Sequence, residues 1–204
     1  MRASSPTFLL VANRLCLDFV NTESQGGRER IDRIGSYPEL VQWARKAGAL
    51  DGGEADYVLE RWPGGPEADA ALEAARALRR RLRDVAEQLA AGTARISPEA
   101  LDAINQALRG RPGYLQLERD GSEWAARWKV PLRRPEDVLW RVARSAASLL
   151  ADDDLTLVRR CDRASCRLFF YDTTKNHRKR YCRMDVCGVA ERAAAYLERR
   201  RSRS

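Results

Sequence analysis

Between Leu15 and Leu150, apolar residues return mostly at intervals of three or four positions, which is the period of an amphipathic helix. The longest run covers residues 68–91 and is followed by Gly92, a residue typical of helix ends. Shorter periodic runs predict helices at residues 36–48, 54–62, 97–108 and 135–150. This part of the chain is therefore predicted to be mostly helical. Acidic residues lie close enough to pair with the arginines of the longest run, so we interpret these arginines as part of a solvated face. They are Arg76, Arg79, Arg80, Arg81 and Arg83.

Two segments break the helical period. Residues 22–35 are polar and contain glycine, so they are predicted to form a loop. Residues 110–131 change to an alternating pattern. With Asp120-Gly121 as a two-residue turn, Leu117 would pair with Trp124 and Leu115 with Ala126. The apolar side chains then share one face of a β-hairpin, and we expect a helix to cover it.

Three short polar residues, Asn13, Asp18 and Asn21, interrupt the apolar start of the chain. Two interpretations are open. In one, they line a pocket for a small-molecule effector. In the other, they cap a helix and tie down turns, which is the commoner use of short polar side chains. Cys16, in the same segment, is interpreted as a small buried apolar residue.

Four of the five cysteines form two pairs, each pair with four intervening residues. The fifteen residues 167–181 separate the two pairs. Paired thiolates at such a separation are typical of a structural zinc site, in which two turns bring four ligands into a tetrahedron. The spacing therefore predicts a zinc ion bound by Cys161, Cys166, Cys182 and Cys187.

Two disulfides or an iron–sulfur cluster are alternative uses of the same cysteines. Residues 1–25 lack a long apolar stretch with a cleavage site, and no segment approaches the roughly 20 apolar residues of a membrane span. We therefore expect a cytoplasmic protein without membrane contact, whose thiols stay reduced, and this favours a metal over disulfides. Iron–sulfur clusters mostly use tighter spacings than those found here.

The excess positive charge lies entirely in the cysteine-bearing tail. The chain has a net charge of +8. Residues 155–204 contain 14 Lys and Arg against 5 Asp and Glu, a balance of +9, whereas the other residues contain 23 against 24, a balance of −1. Such asymmetry is typical of a module that binds a polyanion, most often nucleic acid. The alternative is a basic surface that is only solvated.

The tail also has predicted elements of its own. Residues 155–159 and 167–171 have the pattern of short strands, and residues 185–201 that of a final helix with a narrow apolar stripe. The predicted fold class is mainly α with a small β-hairpin. A helical N-terminal domain (residues 1–154) is followed by a small C-terminal zinc-finger module (residues 155–204) with short strands and a final helix.

These residues resemble a known two-part family. The segment Leu-Cys-Leu-Asp-Phe-Val-Asn-Thr (residues 15–22) is similar to the start of the ABATE domain, and the tail resembles the zinc finger named for its Cys-Gly-Asn-Arg motif. The matching tail positions are the four paired cysteines, Asp172-Thr173, Asn176, Tyr181, Met184 and Cys187-Gly188. The family is described as stress-induced transcription regulators. The resemblance therefore implies a mostly helical leading domain and a DNA-binding zinc module.

The family motif itself is changed in this chain, which has Val189-Ala190 where the family has Asn-Arg. Arg192 lies two positions further on, but a helix turns about 200° over two residues, so its guanidinium points elsewhere. The zinc ligands are intact. The resemblance therefore supports the fold and the metal more directly than the DNA contacts.

Together these features predict a zinc-containing transcriptional regulator that binds duplex DNA, with an N-terminal domain that senses an effector or forms a homodimer. The predicted nucleic-acid contacts are Lys175, Arg178, Lys179, Arg180, Arg183, Arg192 and Arg199. The alternative is a zinc-stapled module that binds protein or RNA without sequence-specific DNA binding. We predict no enzymatic activity, because the sequence shows no convincing nucleophile–base pair, phosphate loop or dinucleotide fingerprint.

Overall fold

The computed structural model describes residues 8–26, 29–109 and 113–201. The helices in these ranges are α1 (Leu15–Val20), α2 (Tyr37–Lys46), α3 (Gly52–Arg61), α4 (Pro66–Ala90), α5 (Pro98–Leu108), α6 (Trp140–Asp152) and α7 (Val189–Arg201). The chain is mostly helical (55%) with small two-stranded sheets, and the C-terminal part contains strands and a final helix. The fold class predicted from the periodicity is confirmed.

The described strands form three separate antiparallel pairs: β1 (Glu23–Gly26) with β2 (Glu29–Asp32), β3 (Tyr114–Asp120) with β4 (Glu123–Lys129), and β5 (Val158–Arg160) with β6 (Phe169–Tyr171). The first pair corrects the prediction of a loop at residues 22–35, of which residues 27 and 28 lie outside the described ranges. A signal for this pair was present in the sequence, because Gly27-Arg28, a glycine followed by another residue, is typical of a two-residue hairpin connection.

Capping chemistry explains where the predicted helices begin. The Oγ atoms of Ser36 and Ser97 accept hydrogen bonds from backbone N–H groups three residues later, and a proline follows in the first turn of each helix. At α3, Glu54 N donates to Asp51 Oδ1 at 2.8 Å, and Asp51 N donates to Glu54 Oε2 at 3.0 Å. Each cap contributes about 1 kcal/mol. Local residues thus determine these three helix starts.

The long helix α4 lies at the centre of the main core. It packs against α1, α2 and α5, and its C-terminal half also contacts β5. The apolar stripe predicted from the sequence is its buried face: Leu72, Ala75, Leu78, Leu82, Val85 and Leu89. Across the core, the rings of Phe19 and Trp43 lie 5.0 Å apart between centroids.

The same helix buries a charged side chain, Arg79, which is only 2% exposed. Its Nη1 donates to Thr22 Oγ1 and to Asp32 Oδ1, each at 2.8 Å, and its Nη2 lies 3.6 Å from Glu23 Oε2. Burial by itself raises the pKa of Asp32, but the hydrogen bonds from Arg79 hold that pKa below its ordinary value. The interpretation of this arginine as part of a solvated face was therefore wrong. It anchors the β1–β2 hairpin to α4.

The β3–β4 hairpin has a different register from the predicted one. Leu117 pairs with Ala126 and Leu115 with Trp128, and the strands meet at the Asp120–Glu123 pair. Gly121 therefore occupies the first position of the two-residue turn, with φ of 62°. A turn of type II′ needs a positive φ there, which glycine adopts without strain. The shift by one turn position keeps the same side chains on the same face.

No helix covers the apolar face of this hairpin among the described residues, contrary to our expectation. Leu115, Leu117 and Trp124 are 64%, 65% and 68% exposed. Periodicity showed which side chains share a face, but it carried no information about what packs against that face.

The C-terminal strands are joined to the main core. Val158, Phe169 and Tyr171 are buried in the same cluster as residues of α1 and α4, and Tyr171 N donates to Ala12 O at 2.8 Å. The predicted boundary after residue 154 stays a prediction. Among the described helices, none is long and apolar enough to cross a membrane.

Candidate metal centre

The four sulfurs predicted as zinc ligands lie together. All of them are within 4.8 Å of one another. Cys166 Sγ lies 3.8 Å from Cys182 Sγ, which lies 3.7 Å from Cys187 Sγ. All five cysteines of the chain are in the described ranges and are free thiols, so neither of the alternative disulfides is formed.

This arrangement has the size of a zinc site. A tetrahedron with zinc–sulfur bonds of about 2.3 Å has sulfur–sulfur edges of about 3.8 Å, and the two measured distances match that edge. Cys161, Cys182 and Cys187 are buried, and Cys166 is partly exposed. The four-cysteine cluster is consistent with structural zinc.

Four thiols this close cannot all ionise without a cation among them. Hydrogen bonds from Cys166 and Cys182 hold the pKa of the Cys161 thiol far below its ordinary value. Their hydrogen bonds to Cys161 raise the pKa of the Cys166 thiol to about 11 and also raise the pKa of the Cys182 thiol. Bound zinc would supply the positive charge that allows all four to be thiolates. Four protein ligands leave no position for an activated water, which is the arrangement of a structural site.

Short backbone hydrogen bonds bring the two cysteine pairs together. Cys161 N donates to Leu168 O, and Asp162 N donates to Arg180 O, each at 2.9 Å. The second of these bonds ties the first pair to the segment that leads into the second pair. Behind the sulfurs, Leu168 and Phe170 are the only residues in the described ranges that add large buried side chains to the cysteine cluster. So small a core needs the metal for its stability.

Cys187 of the second pair lies on a π-helical turn, Met184–Gly188, directly before α7, and Cys182 precedes this turn by two residues. Cys187 N donates to Arg183 O at 2.9 Å. A Cβ atom on Gly188 would come within 2.3 Å of Met184 Sδ, so the absence of a side chain lets Met184 fold over this turn. The turn was predicted as the start of the final helix, whose α-helical part begins a few residues later.

The connection between the two pairs is organised by a residue to which we assigned no structural role, Asp172. Its side chain is fully buried. Oδ1 accepts from Thr174 N and Oδ2 from Lys179 N, each at 2.9 Å. Burial by itself raises the pKa of Asp172, but these bonds lower it below the ordinary value. The sequence signal was the local Asp-Thr-Thr run, because Asp readily bonds the backbone two residues later.

Asn13, Asp18 and Asn21 all bond to protein groups. Asn13 adopts a φ of 60° and donates to Tyr171 O at 3.0 Å. Asp18 Oδ1 accepts from the backbone N–H groups of Val11 and Ala12 at 2.8 and 3.0 Å. Asn21 is buried, donating to Phe169 O at 2.8 Å and accepting from Phe169 N at 2.9 Å. These contacts fix the N-terminal segment and join it to β6. Binding of an effector by the three residues stays a prediction.

Replacing Asn21 with alanine should destabilise the protein by about 2 to 4 kcal/mol. The change leaves both the N–H and the C=O of Phe169 buried without this partner, and each orphaned group costs about 1 to 3 kcal/mol. Urea unfolding of the zinc-loaded protein measures the effect. Asn105→Ala, on the exposed side of α5, is the matched control and should shift the free energy of unfolding by less than about 0.5 kcal/mol. Equal effects of the two variants would contradict the stabilising role assigned to the two hydrogen bonds between Asn21 and Phe169.

The predicted nucleic-acid contacts lie on the outside of the C-terminal part. Lys175, Arg178 and Arg192 are exposed, and none of them has an ion pair with a carboxylate in the residues that the structure describes. Arg180 and Arg183 are exposed as well, but they pair with Asp162 and Asp185. Lys179 Nζ lies 4.8 Å above the ring of Phe170. Arg199 is exposed on α7 and also engages in an interaction there.

Comparison with protein families agrees with this architecture. Residues 13–153 match ABATE, described as a "putative stress-induced transcription regulator", and residues 158–200 match the CGNR zinc finger. A comparison with curated proteins finds no significant match. The resemblance seen in the sequence is confirmed by both family matches. The chain therefore belongs to the ABATE family of transcription regulators, with a CGNR zinc finger after its ABATE domain.

Proposed function

We propose that this protein is a transcriptional regulator that binds duplex DNA through its C-terminal zinc module, residues 155–204. The observation that carries the proposal is the four-sulfur cluster beneath an exposed basic surface. The module has a balance of +9, whereas the rest of the chain is close to neutral. A basic module on one side of a near-neutral domain is the electrostatic footprint of a nucleic-acid-binding protein.

In this proposal the zinc has a structural task. It holds the two cysteine turns and the connection between them in one shape, and this presents Lys175, Arg178 and Lys179 to phosphate groups. Arg192 and Arg199 on α7 add contacts along the strand or in a groove. A closed tetrathiolate site performs no hydrolysis, so the proposed activity involves no catalysis.

The replacement of the family's Asn-Arg pair by Val189-Ala190 affects contacts to DNA and leaves the metal site complete. Val189 is exposed and Ala190 half-buried in the first turn of α7, next to the ligand-bearing π-helical turn. Neither residue supplies a ligand atom to the sulfur cluster. We infer that DNA affinity in this chain depends on the charges of the connecting segment, because the family's Asn-Arg pair is missing.

The ABATE domain is the regulatory part in this proposal, and it responds either to a small effector or to a second copy of the chain. The two hydrogen bonds between Asn21 and Phe169 of β6 connect the end of α1 directly to the zinc module. An event that moves α1 would therefore shift the strand that supports the sulfur cluster. We place this activity in the cytoplasm, where thiols stay reduced.

Salt titration of duplex binding tests the proposal. We expect a steep fall of affinity with salt, because each neutralised phosphate adds about −0.9 to the slope of log K against log salt. Arg178→Ala with Lys179→Ala should flatten that slope by about 2 units. Arg80→Ala with Arg95→Ala removes the same charge from exposed positions of the ABATE domain and should leave the slope unchanged. Failure of the zinc-loaded protein to bind duplex DNA at low salt would reject DNA binding and favour the protein- or RNA-interaction module.

A further inference from the structure

We propose that a cavity beside the sulfur cluster binds a small oligophosphate, a ligand with two or more linked phosphoryl groups. The cavity has a volume of about 480 Å³ and lies where the C-terminal end of α4 meets the zinc module. Five arginines line it, together with Ala90, Cys161, Asp162, Ala164 and Cys166. None of the nucleic-acid contacts predicted from the sequence lies in this cavity except Arg180.

The arginines reach the cavity from three parts of the chain. Arg159 and Arg160 belong to β5, Arg163 and Arg167 belong to the turn and exit of the first cysteine pair, and Arg180 precedes the second pair. In sequence they are scattered over residues 159–180. The β5–β6 pairing and the hydrogen bond from Asp162 N to Arg180 O bring them to one opening.

Four of the five guanidinium groups have no ion pair within the described part of the chain. Only Arg180 has one, with Asp162 at 2.6 Å. The carboxylates of Glu23 and Glu87 line a separate cavity of about 210 Å³, whose wall is shared through Arg160 and Arg167. Arginines without an ion pair that line a concave site favour an anionic ligand, because the planar guanidinium binds phosphate through two parallel hydrogen bonds.

The metal site does not neutralise this charge. A zinc ion with four thiolates carries a formal charge of −2, and Asp162 adds one more negative charge, which leaves about two of the five positive charges in excess. The C-terminal end of α4 contributes about half a negative charge over its last turn. The charge at the cavity thus stays positive when zinc is bound, and this favours an anionic ligand.

The size and lining of the cavity select the class of ligand. A volume of about 480 Å³ exceeds what a single phosphate fills and falls in the range of small-molecule sites. Alanine supplies the few apolar side chains of the lining, so little of the ligand is expected to be apolar.

Isothermal titration of the zinc-loaded protein with pyrophosphate, at constant ionic strength and without DNA, tests the proposal. We expect one saturable site per chain, and weaker binding of inorganic phosphate. Arg159→Gln with Arg167→Gln should lower the pyrophosphate affinity about 100-fold, because each lost charge-assisted contact is worth about tenfold or more. The double variants Arg80→Ala/Arg95→Ala and Arg178→Ala/Lys179→Ala should retain the affinity within about twofold.

Zinc content and circular dichroism of each variant show whether it is folded. If the double variant loses zinc, Arg159→Gln alone, at an exposed position of β5, decides the question with an expected tenfold loss. No saturable binding of pyrophosphate, or an equal loss in all the double variants, would overturn the proposal. A third outcome would also overturn it: the parent protein does not bind pyrophosphate, and Arg159→Gln/Arg167→Gln binds duplex DNA more weakly than the parent does. The cavity would then belong to the DNA interface.

Discussion

Replacing Cys182 with serine is expected to abolish zinc binding and to unfold the zinc module. Cys182 occupies the middle of the cluster, with its Sγ 3.8 Å from that of Cys166 and 3.7 Å from that of Cys187. Its loss leaves three thiolates, and a serine hydroxyl does not replace the fourth. In small zinc domains the binding free energy, about 10 to 16 kcal/mol, is largely folding free energy. The zinc content should fall from about one ion per chain to none.

Loss of the metal should unfold the region around the cysteines and leave the main core folded. Leu168 and Phe170 form the small cluster behind the sulfurs, so amide hydrogens of residues 161–168 and 172–187 should exchange rapidly in Cys182→Ser. Phe169 and Tyr171 point to the main core, which is built by the helices and should keep protection in α4. Hydrogen exchange followed by mass spectrometry separates the two regions.

Cys16 provides the matched control, since it is the one cysteine of the chain outside the cluster. It is buried among the helices of the main core, and burial raises the pKa of its thiol to about 11. Cys16→Ala should keep one zinc per chain and lose only about 1 kcal/mol or less by removal of a sulfur atom from the core. A zinc-loaded Cys182→Ser, or a zinc-free Cys16→Ala, would contradict the ligand assignment.

Replacing Arg79 with methionine is expected to destabilise the protein by about 3 to 5 kcal/mol, the usual result of removing one partner from a buried ion pair. The change removes the hydrogen bonds from Arg79 to Asp32, which keeps only the bond from Ile34 N among its described hydrogen bonds, and it removes a cation from beside Glu23. Asp32 is one-third exposed, so water offsets part of the cost and the lower end of that range applies. Arg80→Met, on the neighbouring exposed position of α4, should shift the free energy of unfolding by less than about 0.5 kcal/mol.

The effect of Arg79→Met should also depend on pH. Arg79 holds the pKa of Asp32 below its ordinary value of 3.8, so the pair stabilises the folded protein fully above that pH. As the pH falls through the lowered pKa of the folded state, Asp32 becomes protonated and this stabilisation is lost. The difference in unfolding free energy between the parent protein and Arg79→Met should therefore shrink below about pH 4. A difference that is constant down to pH 2.5 would show that Asp32 is not the partner that matters.

The main helices and the metal site could be predicted from the sequence because local chemistry determines them. The starts of α2, α3 and α5 follow from side chains that bond backbone groups within three residues. The face of α4 follows from the repeat of its apolar positions. The cysteine spacing needs only two turns and a connecting segment to form a tetrahedron, so it predicted the ligands before any tertiary contact was known.

The remaining features depend on groups far apart in the chain. Arg79 looks like its neighbours on α4, and only the approach of the β1–β2 hairpin places carboxylates beside it. Asn21 meets Phe169 across 148 positions of sequence, and five arginines reach one cavity only after β5 pairs with β6. Sequence by itself determined the helical pattern, the grouping of four cysteines and the basic character of the tail, since spacing and composition suffice for these. Only the tertiary structure decided which charged side chains are buried, which are paired and which converge, because those properties depend on contacts between residues that are distant in the sequence.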